Sequence, residues 1–121
     1  MSNSKVNILG TDYEIVVKKY GDDEAFERRS IDGYCDHLLK KIVICDMTTY
    51  KGWENEPVET AKEAQKQTLR HEIVHAFFGE SGLSDSGLSY EGAWCKNEEL
   101  VDWFAWQGPK IHMAWEQSGA V

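Results

Sequence analysis

The run VETAKEAQKQTLRHEIVHAFF, residues Val58–Phe78, is the longest stretch of the chain without glycine or proline. Alanine, glutamate, glutamine, lysine and leucine dominate it, and these residues favour a helix. Pro57 suits the first turn of a helix because its missing N–H would have no partner there, and Gly79 is typical of a helix end. The run therefore predicts one helix of about six turns.

Inside this predicted helix, residues 71–75 read His-Glu-Ile-Val-His, an H-E-x-x-H pattern. Residues four apart lie on one helix face, so the imidazoles of His71 and His75 can reach one metal ion. Glu72 lies beside them, where it can take a proton from a zinc-bound water and pass it to a leaving amine. A pattern with three fixed positions also arises by chance, so two ordinary helix histidines are the alternative.

The helical wheel predicts where the two histidines point. An apolar stripe with helical spacing predicts the core face, and it consists of Leu69, Ile73 and Phe77, flanked by Val58 and Ala76. His71 and His75 then point to nearly the opposite side of the helix. We therefore expect them either to face water or to be covered by another element that completes a site.

A third metal ligand is expected from residues 97–102, Asn-Glu-Glu-Leu-Val-Asp, which read as the start of a second helix with Asn97 as its N-cap. Glu98 and Asp102 are four apart and share a face, so Glu98 can bind the ion while Asp102 accepts the free ring N–H of a ligand histidine. The alternative ligands are Glu99 and the loop residue Asp85. Glu98 is preferred to Glu99 because only Glu98 has an aspartate four residues further on.

The two segments together resemble the gluzincin pattern of thermolysin-like zinc peptidases, H-E-x-x-H followed by N-E-x-x-x-D. Size and element order are closer to the ImmA/IrrE-type metallopeptidases, many of which are encoded by bacteria, phages and mobile elements. The E-x-x-x-[ND]-x-F-A block of that family is matched by Glu98, Asp102, Phe104 and Ala105, whereas Pro109 stands two residues earlier than the usual proline. The resemblance covers about residues 68–109.

This resemblance implies a cytoplasmic zinc peptidase that cleaves a protein or peptide substrate, such as a regulatory protein. Zinc would be held by His71, His75 and Glu98, with Glu72 as general base and then acid. The alternative is a catalytically weak or inactive zinc-bound binding module of phage or mobile-element origin, because a small chain offers little wall for a specificity cleft. Candidate donors to the oxyanion are Tyr50, Tyr90 and His112, and His37 is expected to be a turn residue and not a fourth ligand.

The first half of the chain predicts β-structure. Residues 5–9 and 13–19 predict a hairpin, and residues 34–36 predict a short strand that pairs with residues 41–46. Residues 41–46 are either an interior strand or, as in zincins, an edge strand to which a peptide substrate adds. The expected fold is one α+β, zincin-like domain over residues 1–121, in which a small antiparallel or mixed sheet packs on the H-E-x-x-H helix.

The remaining segments predict further helices and a loop. A short helix or loop is expected over residues 24–30, a loop over 81–92, and a second helix from 97 to about 107. Gly108-Pro109 is expected to interrupt this second helix, and residues 110–117 to form a final short one. Core packing is expected for four tryptophans, with an exposed partner-binding patch as the alternative: Trp94, Trp103, Trp106 and Trp115.

The chain has 121 residues with 13 basic and 21 acidic side chains, a formal net charge of −8. This balance argues against nucleic acid or an anionic membrane as the main partner, because both need a basic surface. No apolar run approaches the roughly 18–20 residues of a membrane span, and none follows residues 1–5 as a secretory signal would. Three widely spaced cysteines, with no C-x-x-C pair, suggest reduced thiols. These features favour the cytoplasm.

Overall fold

A computed structural model of the chain describes residues 3–83 and 96–121. Over this part the fold is α+β, a small mixed sheet combined with helices, as the sequence predicts. The strands are β1 (Asn3–Ile8), β2 (Thr11–Lys18), β3 (Gly33–Asp36) and β4 (Lys41–Cys45). The α-helices are α1 (Ala25–Arg28), α2 (Val58–Glu80) and α3 (Glu98–Ser118).

The four strands form one sheet in the order β1-β2-β4-β3. β1 and β2 form the predicted antiparallel hairpin, with a two-residue turn at Leu9 and Gly10. β4 pairs in parallel with β2 and antiparallel with β3. β4 is therefore an interior strand, so the alternative that residues 41–46 form a substrate-binding edge is wrong, and β3 lies at the edge.

The interior position of β4 explains its sequence. The four residues Ile42–Cys45 are all buried, because both faces of the strand are covered. Ile42 and Ile44 pack with Tyr13 and with Ala76 of α2, whereas Val43 and Cys45 belong to a second cluster around Phe26. The continuous apolar run therefore reflects burial on both faces of a central strand.

α2 is confirmed as one long helix of 23 residues, and it continues past Phe78 through Gly79 to Glu80. Its buried residues are Ala61, Thr68, Glu72 and Ala76. The predicted core stripe is only partly right: Leu69 and Ile73 pack against the core, but Val58 and Phe77 are exposed. The sheet and α3 both contact α2, so the buried strip is set by two neighbours and includes Glu72.

α3 is continuous from Glu98 to Ser118, so the predicted interruption at Gly108-Pro109 is wrong. Proline lacks the N–H that would bond to the carbonyl four residues earlier, which here is the carbonyl of Ala105. The Nε–H of Arg70, on α2, donates to this Ala105 oxygen at 2.7 Å. A side chain from the neighbouring helix thus replaces the missing donor, and it also holds α3 on α2.

The tryptophans of α3 are not in the core. Only Val101 and Ala105 of this helix are buried, whereas Trp103, Trp106 and Trp115 are each more than half exposed. The core-packing prediction is therefore wrong for these three, because α3 rests on α2 through a narrow face of small side chains. Trp94 lies outside the described residues.

Two of the three cysteines lie in the described part of the chain, and both are free thiols. Burial raises the pKa of Cys35 to about 12 and that of Cys45 to about 11, so both thiols are protonated at neutral pH. Cys95 lies outside the described residues. None of the helices in residues 3–83 and 96–121 is long and apolar enough to cross a bilayer.

Candidate metal centre

α2 and α3 bring two imidazoles and a carboxylate to one point. The Nε2 atoms of His71 and His75 lie 3.2 Å apart. The two carboxylate oxygens of Glu98 lie 2.9 Å from His71 Nε2 and 3.0 Å from His75 Nε2. The two histidine side chains are 18% and 19% exposed, so they are covered, as we expected if another element completes the site.

The position of Glu98 follows from how α3 begins. The side chain of Asn97 accepts a hydrogen bond from the backbone N–H of Leu100 at 3.0 Å, which is the predicted N-cap. Glu98 is therefore the first residue of the helix, and Asp102 lies one turn further on the same face. Glu99 instead lines a surface groove with Leu100, and the ion pairs of the two imidazoles within the described residues do not include it.

Asp102 contacts the Nδ1 side of the His71 ring. Its Oδ1 lies 2.7 Å from His71 Nδ1, so the ring N–H at this position donates to the carboxylate. In a neutral imidazole this bond places the lone pair on Nε2, the atom that faces Glu98. The hydrogen bond between Asp102 and His71 therefore favours the tautomer of His71 whose Nε2 lone pair can bind a metal ion.

The donor atoms fit a zinc ion in both chemistry and spacing. Two imidazole nitrogens and one carboxylate are ligands that Zn²⁺ takes in proteins, at about 2.0–2.1 Å from nitrogen. A tetrahedron of that size has edges of about 3.3 Å, close to the 3.2 Å between the two Nε2 atoms. His71, Glu72 and His75 also offer ligand atoms within 4.8 Å of one another, so either glutamate could complete the set.

Glu72 lies deeper than Glu98. The residue is 7% exposed, and its Oε2 is 4.0 Å from His71 Nε2. Burial raises the pKa of Glu72 to about 7, with His71 opposing the shift and the charge of Glu98 adding to it. Burial also lowers the pKa of His75, partly offset by Glu98, which favours the neutral imidazole. The site thus places an imidazole whose neutral form is favoured, that of His75, near a buried carboxyl whose pKa is raised, that of Glu72.

A cleft passes over these residues and widens on both sides of them. On one side is a cavity of about 530 Å³ between α2, α3 and the segment after β4, which we call the aromatic lobe because Tyr50, Trp53 and Trp106 line it. On the other side is a cavity of about 820 Å³ along β3, which we call the β3 lobe. His71, Glu72 and Glu98 line both lobes, so the candidate centre lies where they meet.

A glycine allows β3 to lie this close to α2. A Cβ on Gly33 would lie 2.8 Å from Thr68 Cγ2 and 3.0 Å from the carbonyl oxygen of Val43. Any larger residue would push the start of β3 away from the helix. Gly33 therefore allows the start of β3 to pack closely on α2 beside the candidate centre.

The other residues singled out from the sequence lie further from the centre. Tyr50 lines the aromatic lobe, and its hydroxyl donates to the carbonyl of Ile31 at 3.2 Å. His112 pairs with Glu116 at 2.9 Å, and ten residues of helix place it about 15 Å along the axis from Asp102. Asp85 and Tyr90 lie outside the described residues.

His37 lies in the turn after β3, as expected, and it lines the β3 lobe together with His75. Its Nδ1 is 3.8 Å from the sulfur of Cys35. A Cβ on Gly79 would overlap the His37 ring, so this glycine is what lets the turn pack on α2. His37 does not belong to the close group of possible ligand atoms in the described chain.

Sequence reasoning missed three residues that shape the site. Arg70 holds α3 in place, and the sequence contained a signal for it, since a proline within a helix leaves a carbonyl that needs a donor. Asp32 and Trp53 line the aromatic lobe, and no local pattern indicates that role for either. Asp32 was interpretable only as part of an Asp-Gly turn.

No family model matches this chain, and no curated protein or solved structure matches it either. The function is therefore inferred from the chemistry and geometry of the site, together with the short motifs.

Proposed function

We propose that this chain is a zinc-dependent metallopeptidase of the gluzincin type with a zincin-like fold. The observation that carries the proposal is the contact of the Glu98 carboxylate with the Nε2 atoms of both His71 and His75, made between two helices. Asp102 supports the same interpretation, because it holds His71 from behind in the tautomer suited to a metal ligand. A chance pair of helix histidines would not require this arrangement.

Three protein ligands are typical of a catalytic zinc site, whereas structural sites usually have four. We assign the third ligand to Glu98 and not to Glu72, since Glu98 is 2.9 Å from His71 Nε2 and Glu72 is 4.0 Å from it. Zn²⁺ bound here would act as a Lewis acid that polarises a peptide carbonyl and makes water more acidic.

Glu72 is assigned the proton transfers. Its side chain lies at the cleft floor beside His71, close enough to the ligands to reach a water molecule at the centre. Glu72 takes a proton from the attacking water and delivers it to the nitrogen of the leaving amine. Because the cleft passes over Glu72 on both sides, a peptide chain can extend in both directions from this point.

β3 is the strand proposed to bind the substrate backbone. It lies at the edge of the sheet, and its residues Gly33–Asp36 line the lobe next to His71 and His75. An extended peptide can add to such an edge through main-chain hydrogen bonds. This role, which the sequence offered for residues 41–46, therefore passes to β3.

The proposed substrate is a protein or peptide, and the proposed location is the cytoplasm. The ImmA/IrrE-type peptidases that the sequence resembles cleave regulatory proteins, which makes a regulatory protein of a bacterium or phage the proposed substrate class. The net charge of −8 is consistent with a protein substrate and weighs against nucleic acid.

Metal content tests the ligand assignment. We expect one equivalent of zinc per chain by elemental analysis, and its loss in His71→Ala and in Glu98→Ala. Glu99→Ala is the matched control, since it removes the neighbouring carboxylate on the same helical turn and should keep full zinc. Full zinc in Glu98→Ala together with loss in Glu99→Ala would show that the third ligand is wrongly assigned.

Cleavage by Glu72→Gln tests the catalytic assignment. This variant should keep the fold and the zinc but lose cleavage of a peptide library by about 10²–10⁴-fold, the usual contribution of a general base. Cleavage products are measured by mass spectrometry. If zinc-loaded wild-type protein cleaves no peptide or protein, the peptidase proposal is wrong and the inactive binding module takes its place.

A further inference from the structure

We propose that the aromatic lobe is a specificity pocket that binds a lysine or arginine side chain of the substrate, with Asp32 as the residue that selects its charge. This inference rests on the proposed peptidase function, because it assigns a substrate preference to the same cleft. Three features of the lobe support this inference: its position beside the candidate centre, its carboxylates and its aromatic walls.

The lobe is placed to receive a substrate side chain. It has its own lining beyond the candidate centre but shares His71, Glu72 and Glu98 with it. A side chain next to the reacting peptide bond would therefore enter the lobe directly. Its volume of about 530 Å³ lies within the range of small-ligand pockets, so a long side chain fits.

The described lining of the lobe contains more carboxylates than basic side chains. It includes the carboxylates of Asp32 and Asp102 besides those of Glu72 and Glu98, and no lysine or arginine. Asp102 faces His71, and Glu98 faces both histidines, so these two carboxylates already have partners. Asp32 forms no ion pair with any lysine or arginine in residues 3–83 and 96–121.

The Asp32 carboxylate accepts a hydrogen bond from a neighbouring side chain. Its Oδ2 lies 3.0 Å from Thr68 Oγ1, which holds the carboxylate against α2. Asp32 lines the same cavity as Tyr50 and Glu72, and its charge contributes to raising the pKa of both. A guanidinium or ammonium group in the lobe would give this half-buried carboxylate a charged partner.

The walls of the lobe suit the rest of a basic side chain. Trp53 comes from the segment after β4, and Trp106 comes from α3, so indole rings line the lobe from two elements. Tyr50 adds a third ring, fixed by the hydrogen bond of its hydroxyl to Ile31. Aromatic faces accommodate the methylene stem of lysine or arginine and attract its cation.

The β3 lobe carries charges of both signs. Arg29 and Asp36 line it, together with Glu72 and Glu98 at the candidate centre. Arg29 disfavours a basic side chain there, whereas the described lining of the aromatic lobe contains no lysine or arginine. This difference favours a peptide with its basic residue in the aromatic lobe.

The test uses two small probes, N-acetyl-arginine methylamide and N-acetyl-citrulline methylamide, which have nearly the same shape but differ in charge. Binding to the Glu72→Gln protein is followed by NMR through the indole N–H signals of Trp53 and Trp106, assigned by single Trp→Phe substitutions. We expect the arginine probe to bind about tenfold more tightly than the citrulline probe, as a charge-assisted contact allows. Equal binding of the two probes in the otherwise unsubstituted pocket would overturn the proposal.

Substitutions then locate the source of the preference. Asp32→Asn should bring the two probes to equal affinity, whereas Asp12→Asn, the same charge change at an exposed position outside the cleft, should leave the tenfold ratio. Thr68→Val removes the hydroxyl donor but keeps the charge, so it should also keep the ratio. A ratio that survives Asp32→Asn, or one that disappears equally in Thr68→Val, overturns the role of Asp32 as the charge-selecting group. If Asp32→Asn does not fold, the comparison of the two probes in the Glu72→Gln protein decides.

The two proposals fail separately. Glu72-dependent cleavage without any preference for the arginine probe would overturn the pocket and keep the peptidase. An intact preference without cleavage would overturn the peptidase and keep a pocket for basic side chains.

Discussion

His71 shows how much of the site depends on a single side chain. Asp102 holds its Nδ1 at 2.7 Å and Glu98 faces its Nε2 at 2.9 Å, so both ring nitrogens are engaged by α3. The spacing of four residues between Glu98 and Asp102 is what allows one helix to engage both sides of the ring. Glu98, which comes first along α3, is thus the proposed ligand, and Asp102, one turn later, is the residue that orients His71.

Replacing Asp102 by asparagine should weaken zinc binding by about 10–100-fold, because the imidazole loses its charged acceptor while Glu98 stays in place. Affinity is measured by competition with a coloured chelator. Glu99→Gln, a comparable loss of charge on the same turn, is the control and should bind zinc as the wild type does. Unchanged affinity in Asp102→Asn would contradict the positioning role of this carboxylate.

Asp23 provides a second test at the residue scale, away from the metal site. Burial raises the pKa of this carboxyl, but hydrogen bonds from Tyr34, the Ala25 N–H and Lys18 outweigh burial and hold it below its ordinary 3.8. Tyr34 Oη donates to Asp23 at 2.6 Å. A depressed pKa contributes stability above about pH 3.8, and this contribution is lost as the pH falls through the lower pKa of the folded state.

Tyr34→Phe should therefore destabilise the protein at pH 7 by roughly 1–3 kcal/mol, the usual cost of losing a hydrogen bond to a charged group. The difference from wild type should shrink as the pH falls below 3.8 towards the lower pKa of Asp23 in the folded state. Urea unfolding at pH 7 and at pH 3 measures both values. An equal difference at the two pH values would mean that the Tyr34 hydroxyl does not stabilise the ionised form of Asp23.

At the scale of secondary structure, α3 depends on α2 for its continuity. Pro109 removes the donor to the Ala105 carbonyl, and Arg70 supplies another at 2.7 Å. Ala105 is buried and lies three residues after Asp102, so this bond fixes α3 close to the carboxylates of the proposed site. Helix continuity and site geometry are thus connected through one side chain.

A double-mutant cycle tests this connection. Arg70→Met should cost about 1–3 kcal/mol in the wild-type background, because the Ala105 carbonyl is then left without a donor. In a Pro109→Ala background residue 109 regains its N–H, so the same substitution should cost less by about 1 kcal/mol or more. Urea unfolding of the four proteins gives the coupling, and a cost for Arg70→Met that is the same in both backgrounds would refute it.

At the scale of the whole molecule, the proposed zinc ion would add a further link between two helices that already contact each other. His71 and His75 lie on α2, Glu98 lies on α3, and only Val101 and Ala105 of α3 are buried. Binding to both helices at once would stabilise the folded state by a free energy that grows with the logarithm of the zinc concentration divided by the dissociation constant.

Removal of zinc by a chelator should therefore lower the thermal midpoint. Zinc at 100 times its dissociation constant contributes about 2.7 kcal/mol, which corresponds to about 10 °C for a domain of this size. Differential scanning calorimetry measures the change, and readdition of zinc should reverse it. His71→Ala is the control, since its midpoint should not respond to zinc, and a wild-type midpoint that does not respond either would contradict the metal site.

Several features could be predicted from the sequence by itself because they depend on local spacing. Composition, with a proline and a glycine near the two ends, predicts α2, and the turn residues predict the hairpin of β1 and β2. The i, i+4 spacing places His71 with His75 and Glu98 with Asp102. Each of these arises from interactions within a few residues of backbone, which helix and strand periodicity determine.

Other features were decided only by the tertiary structure. Four of them contradict or refine local expectations. They are the buried face of α2, the interior position of β4, the exposure of the α3 tryptophans and the uninterrupted course of α3. The same holds for the aromatic lobe, where Asp32 and Trp106 meet from positions 74 residues apart in sequence. The physical reason is common to all of them. The residues that bury a side chain, or that supply a donor such as Arg70 to a free carbonyl, lie far away in the sequence, and local periodicity contains no information about them.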